Sequence, residues 1–418
     1  MRLSKLFTKT FKTAPADEEA LNAKLLIRAG FIHKEMAGVY AYLPLGLRVL
    51  EKIKQIVRQE MNAIGGQELI MTNLQRQDLW QKTDRWDESK VDVWFKTKLK
   101  NNNEVGLAWS HEEPITDMMR NYISSYRDLP IYVYQFQTKL RNETRAKSGI
   151  MRGREFVMKD MYTYTTDQAE HQKIYDSTIQ AYMKIFKRVG IGDKTYLTYS
   201  SGGSFTKFSH EFQTISEAGE DVIYLDESKK LAINKEVYSD ETIKHLGLNK
   251  NKIIEVKASE VGNIFSFKTL KSQELDLYFS DQDGQNRPVT LGSYGIGITR
   301  LMGVIAELYA DDRGLVWPEA IAPFKVHLIC IGNESKTVKK AEKLYKLLTD
   351  LGIEVLYDDR NLRVGEMFND ADLIGLPYRL IVSDKLLASN KVEWKPRTEK
   401  QVLNLSESEL LARLAVNN

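Results

Sequence analysis

The sequence predicts a two-part protein: a larger α+β part over residues 1–320, holding an antiparallel strand pair, and a small α/β unit over 321–418. Three observations carry this. The segment 131–144 alternates with a period of two, 155–164 reads as a second strand, and a short loop joins them, which is the pattern of a hairpin. A glycine-bearing strand over 291–300 runs into a helix pattern from Leu301. After Pro318 the texture changes to strands alternating with helices, the signature of a compact α/β unit.

The elements follow in order. From Pro44, the residues Leu47, Leu50, Ile53, Val57, Met61 and Ile64 recur three or four apart, and Gly65-Gly66 stop the helix they define. Along 131–144, Tyr132, Tyr134 and Phe136 share one face, while Gln135, Gln137, Lys139, Arg141 and Glu143 share the other. The loop Arg145-Ala146-Lys147-Ser148-Gly149 leads to the second strand, and a helix follows over about 167–189. In the last hundred residues, strands are predicted at 325–331, 353–357 and 378–382, with helices at 335–351 and 366–374 between them. Pro318 and Pro323 flank the join, so the domain boundary is placed near 320.

Composition narrows the function classes. The chain has 418 residues, 42% hydrophobic and 28% charged, with a net charge of +3. That is enough apolar material for sizeable cores, and the charge balance neither requires nor excludes nucleic acid. No run of 18 apolar residues suggests a membrane span, so no membrane association is expected. Cys330 is the one cysteine, which excludes an intramolecular disulfide and a cysteine zinc site. The six histidines are scattered without ligand spacing, so no metal site made from protein alone is expected. The first residues are basic and free of acids until Asp17, which fits a transit peptide and an ordinary first segment equally.

Four constellations carry possible chemistry. Arg141 and Glu143 project together from one strand, and Arg152, Arg154 and Phe156 from the next. Arginines there suit phosphate oxygens, and Phe156 suits stacking on a purine, although periodicity alone favours a charged, solvated strand face. The run Gly292-Ser293-Tyr294-Gly295-Ile296-Gly297-Ile298-Thr299-Arg300 lets a ligand approach the backbone and ends on an arginine suited to a triphosphate. The βαβ context of a dinucleotide fingerprint is missing around it. In Trp109-Ser110-His111-Glu112-Glu113, a hydroxyl and a carboxylate two residues apart suit a ligand ammonium group, but pattern alone favours a helix capping box of Ser110 with Glu113. Ser201-Gly202-Gly203-Ser204 leads to Ser209-His210-Glu211-Phe212, where the histidine beside an aromatic reads more readily as packing than as catalysis.

Together these motifs resemble the class II aminoacyl-tRNA synthetases. The segment from Arg141 to Phe156 is similar to motif 2, Gly295 to Arg300 to motif 3, and the helix after Pro44 to motif 1, the dimer-interface segment. Finer matches resemble prolyl-tRNA synthetases of bacterial type: Met151 through Asp160, Val261-Gly262-Asn263-Ile264-Phe265, and Arg313-Gly314-Leu315-Val316-Trp317-Pro318. Asp358-Asp359-Arg360 through Leu373-Ile374-Gly375-Leu376-Pro377 resembles that family's anticodon-binding domain. The resemblance starts at residue 1, which favours an ordinary N-terminus over a transit peptide and implies a cytoplasmic protein.

The resemblance implies an α+β catalytic domain built on an antiparallel sheet (1–320) and a C-terminal α/β anticodon-binding domain (321–418). It implies ATP and Mg²⁺ as cofactors, L-proline and tRNA for proline as substrates, and a homodimer. Arg141 and Arg300 are the implied catalytic residues. Arg141, Glu143, Arg152, Phe156 and Arg300 are implied to hold ATP. Ser110, Glu112, Arg141, His210 and Phe212 are implied to hold proline, and Asp359, Arg360, Arg363 and Glu366 are candidates for the anticodon. The family usually has Pro-Thr at Trp109-Ser110 and Cys at Ser293. It also usually carries a large editing domain between motifs 2 and 3. Here the stretch 234–256 stands in its place and is too short to be one, so no self-correction of alanine errors is expected and a separate editing protein is implied. A class II synthetase for another small amino acid and a noncatalytic tRNA-binding relative are the competing readings; the four retained charged residues favour an enzyme.

Overall fold

A computed structural model describes residues 1–146, 148–203, 206–332 and 334–416, the last by its backbone. Lys147 of the inter-strand loop and Ser204 of the serine–glycine run lie outside the described residues. The chain forms two compact units: residues 35–40 with 53–304, and residues 1–34 with 41–52 and 305–418.

The first unit is built on a nine-stranded sheet. In chain order its strands are β1 (Gln67–Glu68), β2 (Ile131–Leu140), β3 (Glu155–Thr165), β4 (Thr195–Ser201), β5 (Phe208–Ile215), β6 (Asp221–Asp226), β7 (Leu231–Asn234), β8 (Ile254–Lys268) and β9 (Thr290–Gly297). The order across the sheet is β5-β4-β7-β6-β8-β9-β3-β2-β1, with β5 also pairing β8. Neighbours are antiparallel except β1 with β2 and β7 with β4. The predicted hairpin is β2 with β3, Ile131 opposite Tyr164 and Leu140 opposite Glu155. Strand β2 ends at Leu140, because the Arg141 N–H turns to the Arg154 carbonyl and the Asn142 N–H to the Val93 carbonyl.

Beyond the hairpin, β9 lies against β3 and β8, which brings Gly295 opposite Asp160 and Asn263. The strand ends at Gly297, three residues sooner than expected, so Arg300 lies in the first turn of a helix over Ile298–Tyr309 rather than at a strand end. A long helix over Gln168–Arg188 covers the sheet with Ile174, Tyr175, Thr178, Ala181, Tyr182, Ile185 and Phe186, spaced three or four apart. Asp167 caps its first turn through the Glu170 N–H, an interaction worth about 1 kcal/mol. The stretch 234–256 holds one short α-helix, Asp240–His245, between two single 3-10 turns, and its Ile243 packs with Ile233 and Leu248.

The second unit holds a five-stranded sheet of β10 (Val326–Ile331), β11 (Val355–Asp358), β12 (Tyr378–Ser383), β13 (Val392–Pro396) and β14 (Leu403–Leu405), in the order β11-β10-β12-β13-β14. The three predicted strands run parallel, and β13 and β14 extend them antiparallel. Helices over Ser335–Asp350, Val364–Ile374 and Glu407–Val416 accompany them. The core gathers Val326, Leu328, Leu344, Leu348, Tyr357, Leu380, Trp394 and Leu410.

This division differs from a cut at 320. The N-terminal residues of the second unit are tied in by polar and aromatic contacts. The Arg48 guanidinium donates to the Pro323 carbonyl at 2.7 Å and pairs with Glu354; Lys52 donates to the Ala322 carbonyl at 2.6 Å. Asn22 donates to Glu307 at 2.8 Å, and Phe31 stacks on Trp317 at 5.3 Å.

Candidate active site

The hairpin, β8 and β9 surround a cleft of ≈ 270 Å³ in the first unit. Into it project Ser110, Glu112, Arg141, Glu143, Arg152, Phe156 and Arg300, together with Gly295 and Gly297. Residues read from four separate stretches of sequence therefore share one cavity.

At one end stands Glu112, 9% exposed, at the start of a helix over Glu112–Met119. The Ser110 hydroxyl donates to its Oε2, Arg85 lies 3.6 Å from the same oxygen, and Ser293 Oγ lies 3.5 Å from Oε1. The capping-box reading is thereby corrected. His111 occupies the cap position, and Glu113 turns inward to Arg85, Thr83 and Lys271 instead of back to the Ser110 backbone. Burial pushes the Glu112 carboxyl up, but Arg85 and the Ser110 hydroxyl outweigh it and hold it below the usual range. An ionised, nearly enclosed carboxylate facing a cavity suits a cationic ligand group.

Below it the polar face of β2 is the buried one, reversing the exposed, solvated face that alternation alone allows. Asp160 accepts from Lys139 at 2.9 Å, Gln135 at 2.9 Å and Tyr162 at 2.8 Å. Lys139 also meets His111 Nδ1, while His111 Nε2 lies 3.1 Å from the Thr72 carbonyl. Burial and the Lys139 charge push His111 down to about 4, so the ring is neutral, accepting at Nδ1 and donating at Nε2. Burial pushes the Asp160 carboxyl up, yet Lys139 keeps it charged. This network fixes the floor on which Glu112 sits.

At the other end the arginines gather. The Arg141 guanidinium lies 5.2 Å from the Phe156 ring and donates from Nε to the Trp109 carbonyl at 3.3 Å. Arg300 donates to the carbonyls of Met151 and Glu260 at 2.8 and 2.6 Å. Arg152 bridges Glu143 at 2.9 Å and Glu220 at 2.6 Å. Arg154, expected on the face of Arg152 and Phe156, turns away instead. It donates to the Glu143 and Ala37 carbonyls, locking the hairpin loop against the turn at Gly38. Gly38 has φ +76°, and a Cβ there would come within 2.4 Å of the Ala146 Cβ, so the turn requires glycine.

Two expected residues stay outside the cleft. Phe212 is fully buried against Tyr182 and Phe186, 5.0 and 5.3 Å away. His210 receives the Tyr175 hydroxyl at 2.7 Å and packs on Tyr199. Both sit on β5, opposite Gly262 and Ile264, where packing uses up their faces. No role is assigned from sequence to Arg85, Asp160, Tyr162 and Glu260, yet all lie on the cleft wall. Arg85 is stacked between Trp109 and Trp80, 4.5 and 5.2 Å from their rings, so Trp109 closes an aromatic cluster.

In the second unit, Asp359 accepts from the Ser4 N–H and hydroxyl at 3.0 and 2.8 Å, and Arg360 is held by Asp358 at 2.7 Å and Asp370 at 2.9 Å. Arg363 and Glu366 are exposed at the start of the helix over Val364–Ile374. A cavity of ≈ 220 Å³ at the carboxyl ends of β10 and β11 is lined by Asp359, Arg360, Asn361 and Leu362.

Residues 95–309 match the class II core domain of the tRNA synthetases for G, H, P, S and T, and 325–417 match an anticodon binding domain. The chain is 36% identical to a proline–tRNA ligase of Rhodopseudomonas palustris (strain HaA2), covering 99% of this chain and 100% of the relative. The chain belongs to the proline–tRNA ligase family. A second family member, from Maricaulis maris (strain MCS10), is also 36% identical, over 99% of this chain and 98% of its own. Among solved structures, the Cryptosporidium parvum prolyl-tRNA synthetase complexed with L-proline and AMP shares the fold with a TM-score of 0.77 at 17% identity, over 94% of this chain and 74% of that one. The Giardia lamblia prolyl-tRNA synthetase in complex with prolyl-adenylate gives the same TM-score over 93% and 74%.

Proposed function

We propose that this family member activates L-proline with ATP and transfers it to the 3′ end of tRNA for proline. The observation that carries this is the cleft with opposite ends: Ser110 and Glu112 at one, Arg141, Arg152, Phe156 and Arg300 at the other. Glu112 holds the proline nitrogen as a cation. Arg141, bonded to the Trp109 carbonyl beside Ser110, holds the carboxylate against the α-phosphate; Phe156 and Arg300 take the adenine, and Glu143 its amino group. A proline carboxylate oxygen attacks the α-phosphorus, the bond to the bridging oxygen breaks, and pyrophosphate leaves. A ribose hydroxyl of the tRNA then attacks the acyl carbon and AMP leaves. No protein nucleophile is needed, since positioning and charge stabilisation supply the acceleration.

Arg152 and Glu143 engage each other in the structure. Binding of ATP exchanges that pair for phosphate and adenine contacts. Glu260, a cleft carboxylate that the proline and adenine assignments leave over, would hold Mg²⁺. Mg²⁺ commonly takes one or two protein carboxylates and completes its shell with phosphates and water. When bound, the ion supplies neutralisation of the phosphate charge. The catalytic role is assigned to 1–320 and anticodon reading to 321–418, where Arg363 and Glu366 are exposed and Asp359 and Arg360 shape the loop.

Proline-dependent ATP–pyrophosphate exchange tests the reading; exchange driven by another amino acid, or by none, overturns it. The short 234–256 stretch supports the absence of self-editing and reliance on a separate editing protein. Rapid release of alanine from mischarged tRNA by this enzyme alone would refute that. Homodimerisation and a cytoplasmic location complete the reading; sedimentation and fractionation test them. No helix of the described residues is long and apolar enough to cross a membrane.

A further inference from the structure

The loop after β11 is held from outside by the first ten residues. The Tyr357 N–H donates to the Met1 carbonyl at 2.8 Å, and Arg2 forms a parallel bridge to Tyr357, so the segment continues the sheet edge beyond β11. From there Arg2 reaches two acids. Its two terminal nitrogens grip Glu342 at 2.6 and 2.5 Å, and one also reaches Asp359 at 3.3 Å. The guanidinium lies 5.1 Å from the rings of both Tyr345 and Tyr357. Ser4 donates its N–H and its hydroxyl to the two Asp359 oxygens, and Thr10 donates to Asp370 at 2.7 Å. Asp370 in turn holds Arg360. Every acid flanking Arg360 except Asp358 is therefore bonded to the N-terminal segment.

We propose that Arg2, Ser4 and Thr10 are positioning residues for tRNA recognition, a strap that sets the 358–363 loop before the anticodon arrives. The inference rests on the reading of that loop as the anticodon site. Isolated surface ion pairs contribute little, but a two-pronged arginine stacked on rings within a network is the geometry that does contribute. Burial pushes the Asp359 carboxyl up and the Ser4 and Arg2 bonds more than offset it, so the strap keeps that acid charged and oriented. A loop ordered in advance avoids the ordering cost at binding, which appears as affinity.

The test uses the full chain with Arg2→Gln plus Ser4→Ala, beside a loop variant, Arg363→Ala plus Glu366→Gln. For the strap variant we expect the KM for tRNA to rise about tenfold. Its proline-dependent ATP–pyrophosphate exchange stays unchanged, and its preference for the correct anticodon over a substituted one shrinks. Ser4→Ala alone, expected to raise KM about threefold, carries the test if the double variant folds poorly. An unchanged KM in the strap variant while the loop variant loses tRNA affinity overturns the strap and leaves the anticodon reading intact. If neither variant changes the KM, both fall. Exchange and charging declining together show a general structural role and also overturn it.

Discussion

The cleft and the loop after β11 are both rich in charge, yet they spend it differently. In the cleft, Glu112 and Arg141 make few internal bonds and face a cavity. In and around the loop, Asp358, Asp359, Arg360 and the helical Asp370 bond to one another or to the N-terminal segment. A cluster of charges is therefore not one kind of feature. Glu112 and Arg141 keep hydrogen-bonding capacity toward space, whereas the loop acids use theirs to hold shape; Arg152 and Arg300 lie between these cases, lining the cleft while bonded to Glu143, Glu220, Met151 and Glu260.

Substitutions can break this contrast. The largest effect is expected for Glu112→Gln, which removes the charge facing the cavity: kcat/KM for proline should fall by about 100- to 1000-fold in the exchange assay, with little change in Tm. Arg360→Ala should do the reverse. It leaves Asp358 buried without its partner, so stability should drop by about 3 kcal/mol in denaturant unfolding while proline-dependent exchange persists. Arg363→Ala, exposed on the same loop, should raise the KM for tRNA about tenfold and leave stability within about 0.5 kcal/mol.

The smallest expected effect sharpens the contrast inside the cleft. Burial pushes Glu260 up to about 7, with Glu211 and Asp221 adding to the rise against Arg300 and Arg141. A carboxyl raised on folding favours the fold while protonated, and that advantage is lost as pH rises from the ordinary glutamate range through about 7. Glu260→Gln should therefore raise Tm at pH 8 and leave it nearly unchanged at pH 4.5. If the ionised form serves Mg²⁺ and ATP, kcat/KM for ATP rises through the same pH interval in the parent enzyme and is low and flat in the variant.

Much of this was legible in the chain. The hairpin, the glycine strand and the alternating C-terminal elements follow from residue periodicity, because side-chain direction in a strand or helix is fixed by local geometry. The same logic located Arg141, Glu143, Arg152 and Phe156. It failed for Arg154, whose coil backbone breaks the parity of the strand. For His210 and Phe212 the pattern points to packing and the family resemblance to the proline pocket; here they pack on Tyr175, Tyr182 and Phe186. Periodicity also assigned no partner to Arg85, which lies 27 residues from Glu112 in sequence and 3.6 Å away in space.

The sequence by itself determined the local elements, the motif order and the residue types able to bind phosphate and ammonium groups. It did so because these depend on periodicity and on side-chain chemistry. Only the tertiary structure decided which charges face a cavity and which face each other. It made the polar side of β2 the buried floor under Glu112, and it turned Arg2 and Ser4 into supports for a loop more than 350 residues away. Those outcomes depend on contacts between distant segments, where desolvation and hydrogen-bond geometry, rather than local pattern, set the role of each group.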